Sequence, residues 1–472
     1  MNALASFAPI LVLSVGGLSY LLGTKIIDRL RLAPIIAALL VAAAAWLTIG
    51  LGESAPMVQY GLLITPFSKL LALVACGGAL VSIIATSSSL VRESITTSSE
   101  YYYLLVTSLC GALVMIFASD FLTLFIGVEV ASLALYCLCG ARVTSPRSSE
   151  ASMKYFLLGC FASACLLYGI ALWYGATGSL VIERAGAGVA HQPIMALSFL
   201  LILIGMAFKI GLAPFHFWVP DVYQGAPTSV TTFMSCVVKV AAVAALIRVS
   251  ALAFGYGDLW SSGSVWLLSV IAMTVGNLAA LQQASVKRLL AYSSVAQAGY
   301  MMIGLAVAGE NSSAIAATVY YLMAYCAMTI GAFAVLSAIS PDADDLRDLK
   351  GLVKRNRFLA ICMALFFLGL AGLPPSLAGL MGKVYLFSAA LSAEFYGLAI
   401  IAALNSALAC AYYFRVPVAI FFQEGDTTAP VSVSSMAYVG IALCALAVVF
   451  FGVFPEPLLT ASQAAAASLG GK

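Results

Sequence analysis

Four ionisable residues lie inside long apolar stretches of the sequence: Glu129, Lys209, Lys239 and Lys383. Desolvation weakens the hold of a buried ammonium group on its proton, whereas a nearby carboxylate strengthens it. A carboxylate about 5 Å away contributes roughly 3 kcal/mol at an effective dielectric constant near 20. Residues of these types in apolar surroundings therefore indicate proton transfer. A change in the distance from Glu129 to Lys209 would switch the lysine between holding and releasing its proton.

Two simpler explanations compete with proton transfer. A lysine near the end of an apolar helix can extend its side chain to the lipid headgroups, and a glutamate can form a purely structural ion pair. Lys209 and Lys383 lie too deep in their apolar stretches for the first explanation, whereas Lys239 is only nine residues from Arg248. For Glu129, a structural ion pair and a transport pair are identical in sequence.

A second group of candidates consists of His216, Asp120, Lys154 and Lys287. His216 stands between aromatic residues, and its imidazole suits proton relay and packing equally well. The other three suit proton-uptake paths or ionic links to neighbouring proteins, and they suit ordinary charges at helix ends equally well.

The composition places these residues in a membrane protein. Of the 472 residues, 63% are hydrophobic and 9% are charged, whereas a soluble domain has roughly 25% charged residues. This excludes a soluble enzyme, a secreted disulfide scaffold and a disordered chain. The net charge of +3 gives no reason to expect nucleic acid as a partner. Eleven cysteines without a C-x-x-C pair, and only two histidines, predict no metal or iron–sulfur site.

Apolar segments of about 20 residues, the length that crosses a bilayer, recur along the whole chain. They predict a single all-α polytopic membrane domain, residues 1–472, with about fourteen transmembrane helices. We expect these helices at residues 5–23, 33–51, 65–86, 102–118, 121–140, 155–175, 194–219, 228–252, 264–281, 289–308, 314–337, 358–391, 396–421 and 435–455.

Proline interrupts two of the predicted helices near their middle. Helix 7 contains Gly211-Leu-Ala-Pro214 and helix 12 contains Gly372-Leu-Pro-Pro375, so both should be broken. The two glycines are 161 residues apart, which predicts two inverted five-helix repeats: helices 4–8 in residues 102–252 and helices 9–13 in residues 264–421. Helices 1–3 (residues 1–101) and helix 14 (435–455) flank them.

Basic residues are distributed unequally between the predicted loops. Loops after odd-numbered helices hold 15 lysines and arginines, and loops after even-numbered helices hold three. Because basic residues accumulate in cytoplasmic loops, both termini are expected on the periplasmic side.

Longer motifs surround the candidate residues. Residues 208–235 read FKIGLAPFHFWVPDVYQGAPTSVTTFMS, residues 277–300 read NLAALQQASVKRLLAYSSVAQAGY and residues 370–391 read LAGLPPSLAGLMGKVYLFSAAL. With EASMKYFLLG at residues 150–159 and Glu129, they closely resemble the antiporter-like membrane subunits of respiratory complex I. The form VPDVYQGAPT at residues 219–228 is similar to the N-type members of that family.

The resemblance implies a proton-translocating membrane-arm subunit of NADH:quinone oxidoreductase in the bacterial inner membrane, driven by quinone reduction in other subunits. Glu129 and Lys209 match the family's coupled pair, Lys239 its central lysine and Lys383 the lysine of its broken twelfth helix. NADH, FMN, iron–sulfur clusters and quinone are then expected in partner subunits. This chain has no G-x-G-x-x-G motif and no cysteine cluster, so it should hold no redox centre.

The implied neighbours are the antiporter-like subunit M and the small subunits K and J, all within the lipid bilayer. In one respect the chain departs from its relatives. Other members tend to carry histidines on the eleventh helix, where this chain has Tyr320 and Tyr321, so a histidine relay cannot be transferred. A Mrp-type cation/proton antiporter subunit is the alternative function, against which residues 218–228 argue. A structural scaffold is the third.

Overall fold

The fold was examined in a computed structural model, which describes residues 3–29, 32–52, 61–93, 95, 98–182, 193–255, 259–311, 313–340, 344–425, 430–431 and 433–469. The α-helices are α1 (Ala3–Arg29), α2 (Ala33–Gly50), α3 (Pro66–Thr86), α4 (Ser89–Arg92), α5 (Ser98–Phe117), α6 (Phe121–Cys139), α7 (Pro146–Thr177), α8 (Pro193–Ile210), α9 (Trp218–Gly225), α10 (Thr228–Met234), α11 (Val237–Val249), α12 (Leu259–Leu281), α13 (Val286–Ala306), α14 (Ala314–Ile339), α15 (Leu352–Arg355), α16 (Arg357–Ala371), α17 (Leu377–Ser392), α18 (Tyr396–Phe422), α19 (Ser435–Val453) and α20 (Pro455–Ala467). A π-helix, Ser250–Phe254, extends α11, and a 3₁₀ helix, Leu346–Leu349, precedes α15.

Fourteen membrane crossings account for most of this helix content. In the described part of the chain, thirteen helical segments are long and apolar enough to cross a bilayer, with residues 228–254 counted as one. Helices α16 and α17 are each too short to cross alone, and together they supply the fourteenth crossing. The predicted all-α polytopic fold is confirmed, with thirteen candidate spans and this pair of shorter helices against about fourteen predicted.

Several helices extend beyond the predicted boundaries. The sixth predicted helix, 155–175, is part of α7, which begins nine residues earlier at Pro146. The tenth, predicted at 289–308, begins at Val286 because the Ser285 side chain caps it. The first and fourth also begin or end outside the predicted ranges. The reason is the same in each case, since a hydropathy window detects the apolar part of a helix and not its polar ends.

The eighth predicted crossing, 228–252, is present as residues 228–254, but it is not one continuous α-helix. It is interrupted at Ser235 and Cys236, between α10 and α11. Thr232 and Ser235 donate hydrogen bonds to the backbone carbonyls of Thr228 and Thr232. Hydroxyl groups that bond to the preceding turn in this way bend helices, which provides a physical reason for the interruption.

The two predicted proline breaks are present. Helix α8 ends at Ile210 and α16 ends at Ala371. The next residue in each case is a glycine with φ of 81°, a backbone conformation that side chains with a Cβ rarely adopt. Residues beyond the first break form α9 instead of continuing the seventh helix to residue 219 as predicted.

The two halves of the chain repeat the same local features. Asp120 caps α6 and forms an isolated backbone bridge with Val181, and Ser285 caps α13 and forms a corresponding bridge with Asp345. Glycines bring α5 against α6 and α12 against α13, so that an added Cβ would meet the facing backbone within 3 Å. These correspondences support the repeats at 102–252 and 264–421, whose bounds remain a prediction.

The centre of the molecule consists of three crossings. In the 18-residue apolar segment of each span, all residues are buried in 228–254, 94% in α13 and 89% in α14, whereas only 17% are buried in α1 and 28% in α2. The helices that carry Lys239 and its neighbours are therefore shielded from lipid by the rest of the chain.

A final helix, α20, has no counterpart among the predicted spans. It packs against α3 and α14, and the Ser468 hydroxyl beyond its end accepts a hydrogen bond from the Phe67 backbone N–H at 3.2 Å. The end of the chain is thereby joined to the start of α3.

Candidate proton-transfer site

Three lysines lie in the protein interior on three different helices. Lys209 on α8 is 4% exposed, and Lys239 on α11 and Lys383 on α17 are each 3% exposed. None of the ion pairs formed by the described residues includes one of them. This excludes the explanation that these lysines extend to the lipid headgroups, and their direct hydrogen bonds are to uncharged groups.

Lys209 is held by hydroxyl groups and aromatic rings. Its Nζ donates to Ser132 Oγ at 2.7 Å and to Tyr136 Oη at 3.1 Å, both on α6. The same nitrogen lies 5.4 Å from the ring centroid of Tyr136 and 5.9 Å from that of Tyr155. Hydroxyl oxygens and ring faces stabilise an ammonium group less strongly than a carboxylate does. Lys209 can therefore bind a proton and also release it.

Glu129 lies one turn before Ser132 on α6. Its carboxylate accepts a hydrogen bond from the Ser163 hydroxyl of α7, and its charge acts on Lys209 although the two form no direct ion pair. Glu129 is half-buried and lies on the same face of α6 as the exposed side chains of Leu122 and Leu133. The predicted Glu129–Lys209 pair is therefore not a direct ion pair, because Glu129 binds Ser163 while Lys209 binds Ser132 and Tyr136.

Lys239 is bound from the second half of the chain. Its Nζ donates to the backbone oxygen of Ser294 at 2.9 Å and also to the Ser294 hydroxyl, both on α13. Tyr325 of α14 contributes its hydroxyl at 3.4 Å and its ring at 4.9 Å. Ser294 is nine residues beyond the cap of α13, and Glu129 is nine residues beyond the cap of α6, so the two occupy corresponding places.

Lys383 lies against the break in the twelfth crossing. Its Nζ donates to the backbone oxygen of Ala371, the last residue of α16, at 2.8 Å, and to Ser406 Oγ at 3.0 Å. The Tyr300 ring lies 5.0 Å away. Carbonyl groups at a helix C-terminus have no partner within the helix and favour a positive charge. The break thus creates the binding place of this ammonium group.

Uncharged hydrogen-bonding groups connect Lys239 to Lys383. Tyr325, which contacts Lys239, is one turn from Tyr321 on α14. The Tyr321 hydroxyl donates to the side-chain oxygen of Gln297, whose Nε2 donates to the Leu370 backbone oxygen at 2.9 Å. Leu370 and Ala371 are adjacent, so Gln297 and Lys383 bind neighbouring carbonyl groups at the end of α16.

Further polar side chains surround this connection. All of them lie inside apolar helices, and their side chains hydrogen-bond to one another. They are Ser293, Tyr413, Tyr412, Asn277, Asn405 and Tyr300. Sequence reasoning did not identify them, although an amide such as Gln297 or Asn277 within an apolar span was a signal that could have been used.

Tyr320 and Tyr321, where relatives tend to have histidines, differ in direction. Tyr321 bonds to Gln297, whereas Tyr320 donates to the backbone oxygen of Phe451 on α19 at 2.7 Å.

His216 lies in the turn after α8, stacked on Phe217 at 5.2 Å and near Tyr292 at 6.1 Å. Both its relay and packing interpretations stay open.

The remaining candidates lie towards the helix ends. Asp120 caps α6 by accepting hydrogen bonds from the backbone and side chain of Thr123, each at 2.7 Å. Lys154 forms ion pairs with Glu150 and Asp221, each at 2.7 Å, and Arg288 also pairs with Asp221 at 2.7 Å. Burial raises the pKa of Asp221, but the hydrogen bonds from Lys154 and Arg288 lower it further, so the carboxylate stays charged.

Comparisons with known proteins identify relatives of this chain. Residues 118–409 match the family described as NADH:quinone oxidoreductase/Mrp antiporter, transmembrane. The NADH-quinone oxidoreductase subunit N 1 of Sorangium cellulosum is 42% identical over 414 residues, which cover 83% of this chain and 81% of that protein. Subunit N of Trichlorobacter lovleyi is 38% identical over 414 residues, which cover 84% of this chain and 82% of that protein.

Two solved structures have the same architecture. A chain of respiratory complex I from Thermus thermophilus, solved with bound aureothin, superposes with a TM-score of 0.84 at 35% identity, covering 97% of this chain and 99% of that one. A chain of the Mrp complex from Dietzia sp. superposes with a TM-score of 0.87 at 22% identity, covering 99% of this chain and 98% of that one. At that identity the second similarity concerns the fold alone.

Proposed function

The chain belongs to the NADH:quinone oxidoreductase/Mrp antiporter family, within it to the subunit N group, and on this premise we propose that it translocates protons as a membrane-arm subunit of NADH:quinone oxidoreductase. Quinone reduction in other subunits supplies the energy. Protons pass between Glu129, Lys209, Lys239 and Lys383 through the hydroxyl and amide groups that lie between them.

The observation that carries this proposal is the set of partners of the three buried lysines. Each ammonium group contacts only hydroxyl, carbonyl or aromatic groups among the described residues. A lysine with a purely structural role would be expected to form an ion pair, because an unpaired buried charge destabilises a protein. A lysine that must release its proton benefits from partners that tolerate the neutral amine.

The path has two regions of different character. Between Lys239 and Lys383 are the hydrogen-bonding side chains of Tyr325, Tyr321 and Gln297: Tyr325 contacts Lys239, and Tyr321 donates to Gln297. Between Lys209 and Lys239, Tyr155 stacks on Trp218 at 4.4 Å, so this region is largely aromatic. We expect transfer in the aromatic region to need movement, consistent with a gate set by Glu129 and Lys209.

The complex I assignment is better supported than a Mrp-type antiporter. The relatives named as subunit N are about 40% identical over most of this chain, whereas the Mrp complex chain shares the fold at 22% identity. NADH, FMN, iron–sulfur clusters and quinone then belong to partner subunits.

Partners are expected beside α6. A half-buried carboxylate facing lipid is costly, and Glu129 lies on the outward face of this helix with Leu122 and Leu133. A neighbouring subunit that covers this face would remove the cost. Subunit M, with K and J, are the proposed neighbours.

The basic loops orient the protein in the bacterial inner membrane. The predicted cytoplasmic side carries Arg142, Lys154 and Arg288, and Lys154 and Arg288 meet at Asp221 in the structure. With this side in the cytoplasm, an even number of crossings leaves both termini on the periplasmic side.

Replacing Lys239 with Met tests the function. In membrane vesicles that contain the whole complex, Lys239→Met should assemble normally, while NADH-driven proton pumping falls roughly tenfold or more, equivalent to about 1.4 kcal/mol on the barrier. Lys354→Met, at an exposed lysine paired with Glu424, is the matched control and should pump normally. Undiminished pumping by Lys239→Met would support a scaffold instead.

A further inference from the structure

Glu93 is a buried carboxylate that the row of lysines does not include. It follows α4, directly before α5, and it is 0% exposed. Its Oε2 accepts a hydrogen bond from the Ser229 hydroxyl at 2.5 Å, and its Oε1 accepts one from the Ser229 backbone N–H at 3.2 Å. Because hydropathy places Glu93 in a loop, its burial is not evident from the sequence.

Two cations on other elements act on this carboxylate. Lys287, in the first turn of α13, is 4% exposed, and Arg142 follows α6. Both stabilise the negative charge of Glu93, and Tyr101 and Tyr102 of α5 lie beside it. Burial raises the pKa of Glu93 more than Ser229, Lys287 and Arg142 lower it. Burial therefore favours the protonated form of Glu93, while Lys287 and Arg142 favour its carboxylate form.

The cluster formed by Glu93, Arg142 and Lys287 lies on the predicted cytoplasmic side. Glu93 lies in the loop after the third crossing, Arg142 after the fifth and Lys287 after the ninth, and these are odd-numbered crossings with basic loops. The cluster is thus near the surface from which protons must be taken up.

A stripe of hydroxyl groups leads from Glu93 towards Lys239. Next to Ser229, the residues Thr228, Thr232 and Ser235 precede Lys239 at the spacing of one helical face, and all are buried. At 1.5 Å per residue, this stripe covers roughly 16 Å along the helix axis. It provides polar groups along the part of this crossing that lies between Ser229, the partner of Glu93, and the central lysine.

We propose that Glu93 takes up protons from the cytoplasmic side and passes them towards Lys239, an inference that rests on the proposed function. One carboxylate oxygen of Glu93 accepts a proton from the cytoplasmic solvent and becomes neutral. The proton then passes along the hydroxyl stripe to the neutral amine of Lys239, which becomes ammonium, and Glu93 returns to its carboxylate form.

The simpler role for Glu93 is to hold the start of α10 through Ser229. A glutamine keeps one side-chain oxygen to accept from the Ser229 backbone N–H, and its amide N–H can donate to the Ser229 hydroxyl in place of the second bond, but it cannot carry a proton. The substitution Glu93→Gln therefore separates the two roles.

The test uses inverted membrane vesicles with the whole complex, an uncoupler and added quinone, so that turnover depends on proton uptake from the outer medium. Glu93→Gln should oxidise NADH roughly tenfold more slowly per assembled complex. Imidazolium, a small proton donor, should restore part of the rate. Glu93→Asp should retain an intermediate rate, and Glu100→Gln, at a nearby exposed glutamate, should be unchanged.

Lys239→Met, measured in parallel, tests the underlying function separately. If Lys239→Met is fully active, the proposed function fails whatever Glu93 does. If Lys239→Met is slow while Glu93→Gln is fully active, only the role of Glu93 is overturned. If Glu93→Gln assembles poorly, the assembled fraction still decides: normal turnover per assembled Glu93→Gln complex, without any response to imidazolium, assigns Glu93 to the start of α10 alone.

Discussion

The three buried lysines bind hydroxyl and carbonyl oxygens, and this choice of partner determines what each can do. A neutral partner stays in place when the ammonium group loses its proton, whereas a buried carboxylate partner would be left with an uncompensated charge. Ser294 can accept a hydrogen bond from the ammonium form of Lys239 and donate one to its neutral form. Serine and tyrosine hydroxyls are therefore suited to both states of a proton-transfer lysine.

The sequence identified these lysines because charges are rare in apolar spans, but it did not identify their partners. Serine and tyrosine are common in membrane helices, and nothing in the spacing of Ser132, Tyr136 or Ser294 distinguishes them from other buried residues. Glu129 was found, but its lack of a direct bond to Lys209 depends on how α6 and α8 are rotated against each other. Periodicity alone does not specify that rotation.

Gln297 is the residue on which the connection between the two lysines of the second half depends. Replacing it with leucine, of similar size, removes its bonds to Leu370, Tyr413 and Tyr321. We expect proton pumping per assembled complex to fall roughly tenfold, measured as NADH-driven acidification of inverted vesicles.

The matched control for this substitution is Gln423→Leu, at an exposed glutamine that follows α18. It should pump normally. Equal pumping by Gln297→Leu and Gln423→Leu would show that protons do not pass through Gln297.

At the level of helices, the breaks and the charges depend on each other. The interruption after Ala371 frees the carbonyl groups that bind Gln297 and Lys383, and a continuous helix would have used them internally. Glycine and proline predicted this break and the one after α8. The interruption between α10 and α11 was not predicted, because its cause is hydroxyl bonding to the backbone, which occurs in many uninterrupted helices as well.

Gly372 tests this dependence. With φ of 81°, alanine here is strained by about 1–2 kcal/mol, and its Cβ would lie 3.1 Å from Cδ and 3.4 Å from Nζ of Lys383. Gly372→Ala should lower the thermal midpoint of the purified complex and also reduce pumping, since Lys383 must move.

Gly263→Ala is the control, at an exposed position of α12 where an added Cβ meets nothing within 4 Å. Alanine is favoured over glycine by roughly 0.5–1 kcal/mol inside a helix, so this variant should be equally or more stable and pump normally. A Gly372→Ala complex with both properties unchanged would contradict the role given to the break.

At the scale of the whole molecule, the fold was predictable because lipid leaves few alternatives. Backbone groups in a bilayer must be satisfied within helices or closed barrels, so fourteen apolar segments of the right length are sufficient to predict fourteen crossings. The burial of Glu93 and the link through Gln297 were not predictable, since both join elements distant in sequence. They depend on which helices occupy the centre.

The arrangement of the helices also places Lys239 at the centre of the molecule. Its helix is fully enclosed, and it is contacted from α13 and α14, so groups from both halves of the chain meet at one ammonium group. In this arrangement a change in one half can reach the other through Lys239.

The most direct test of a single connected path is a double substitution. Pumping is measured for Lys239→Met, Gln297→Leu and the two combined, each per assembled complex. If both residues serve one path, the combined variant should pump no less than Lys239→Met alone, because residues that act as a unit are strongly non-additive. Losses that multiply, as they do for independent sites, would contradict the account.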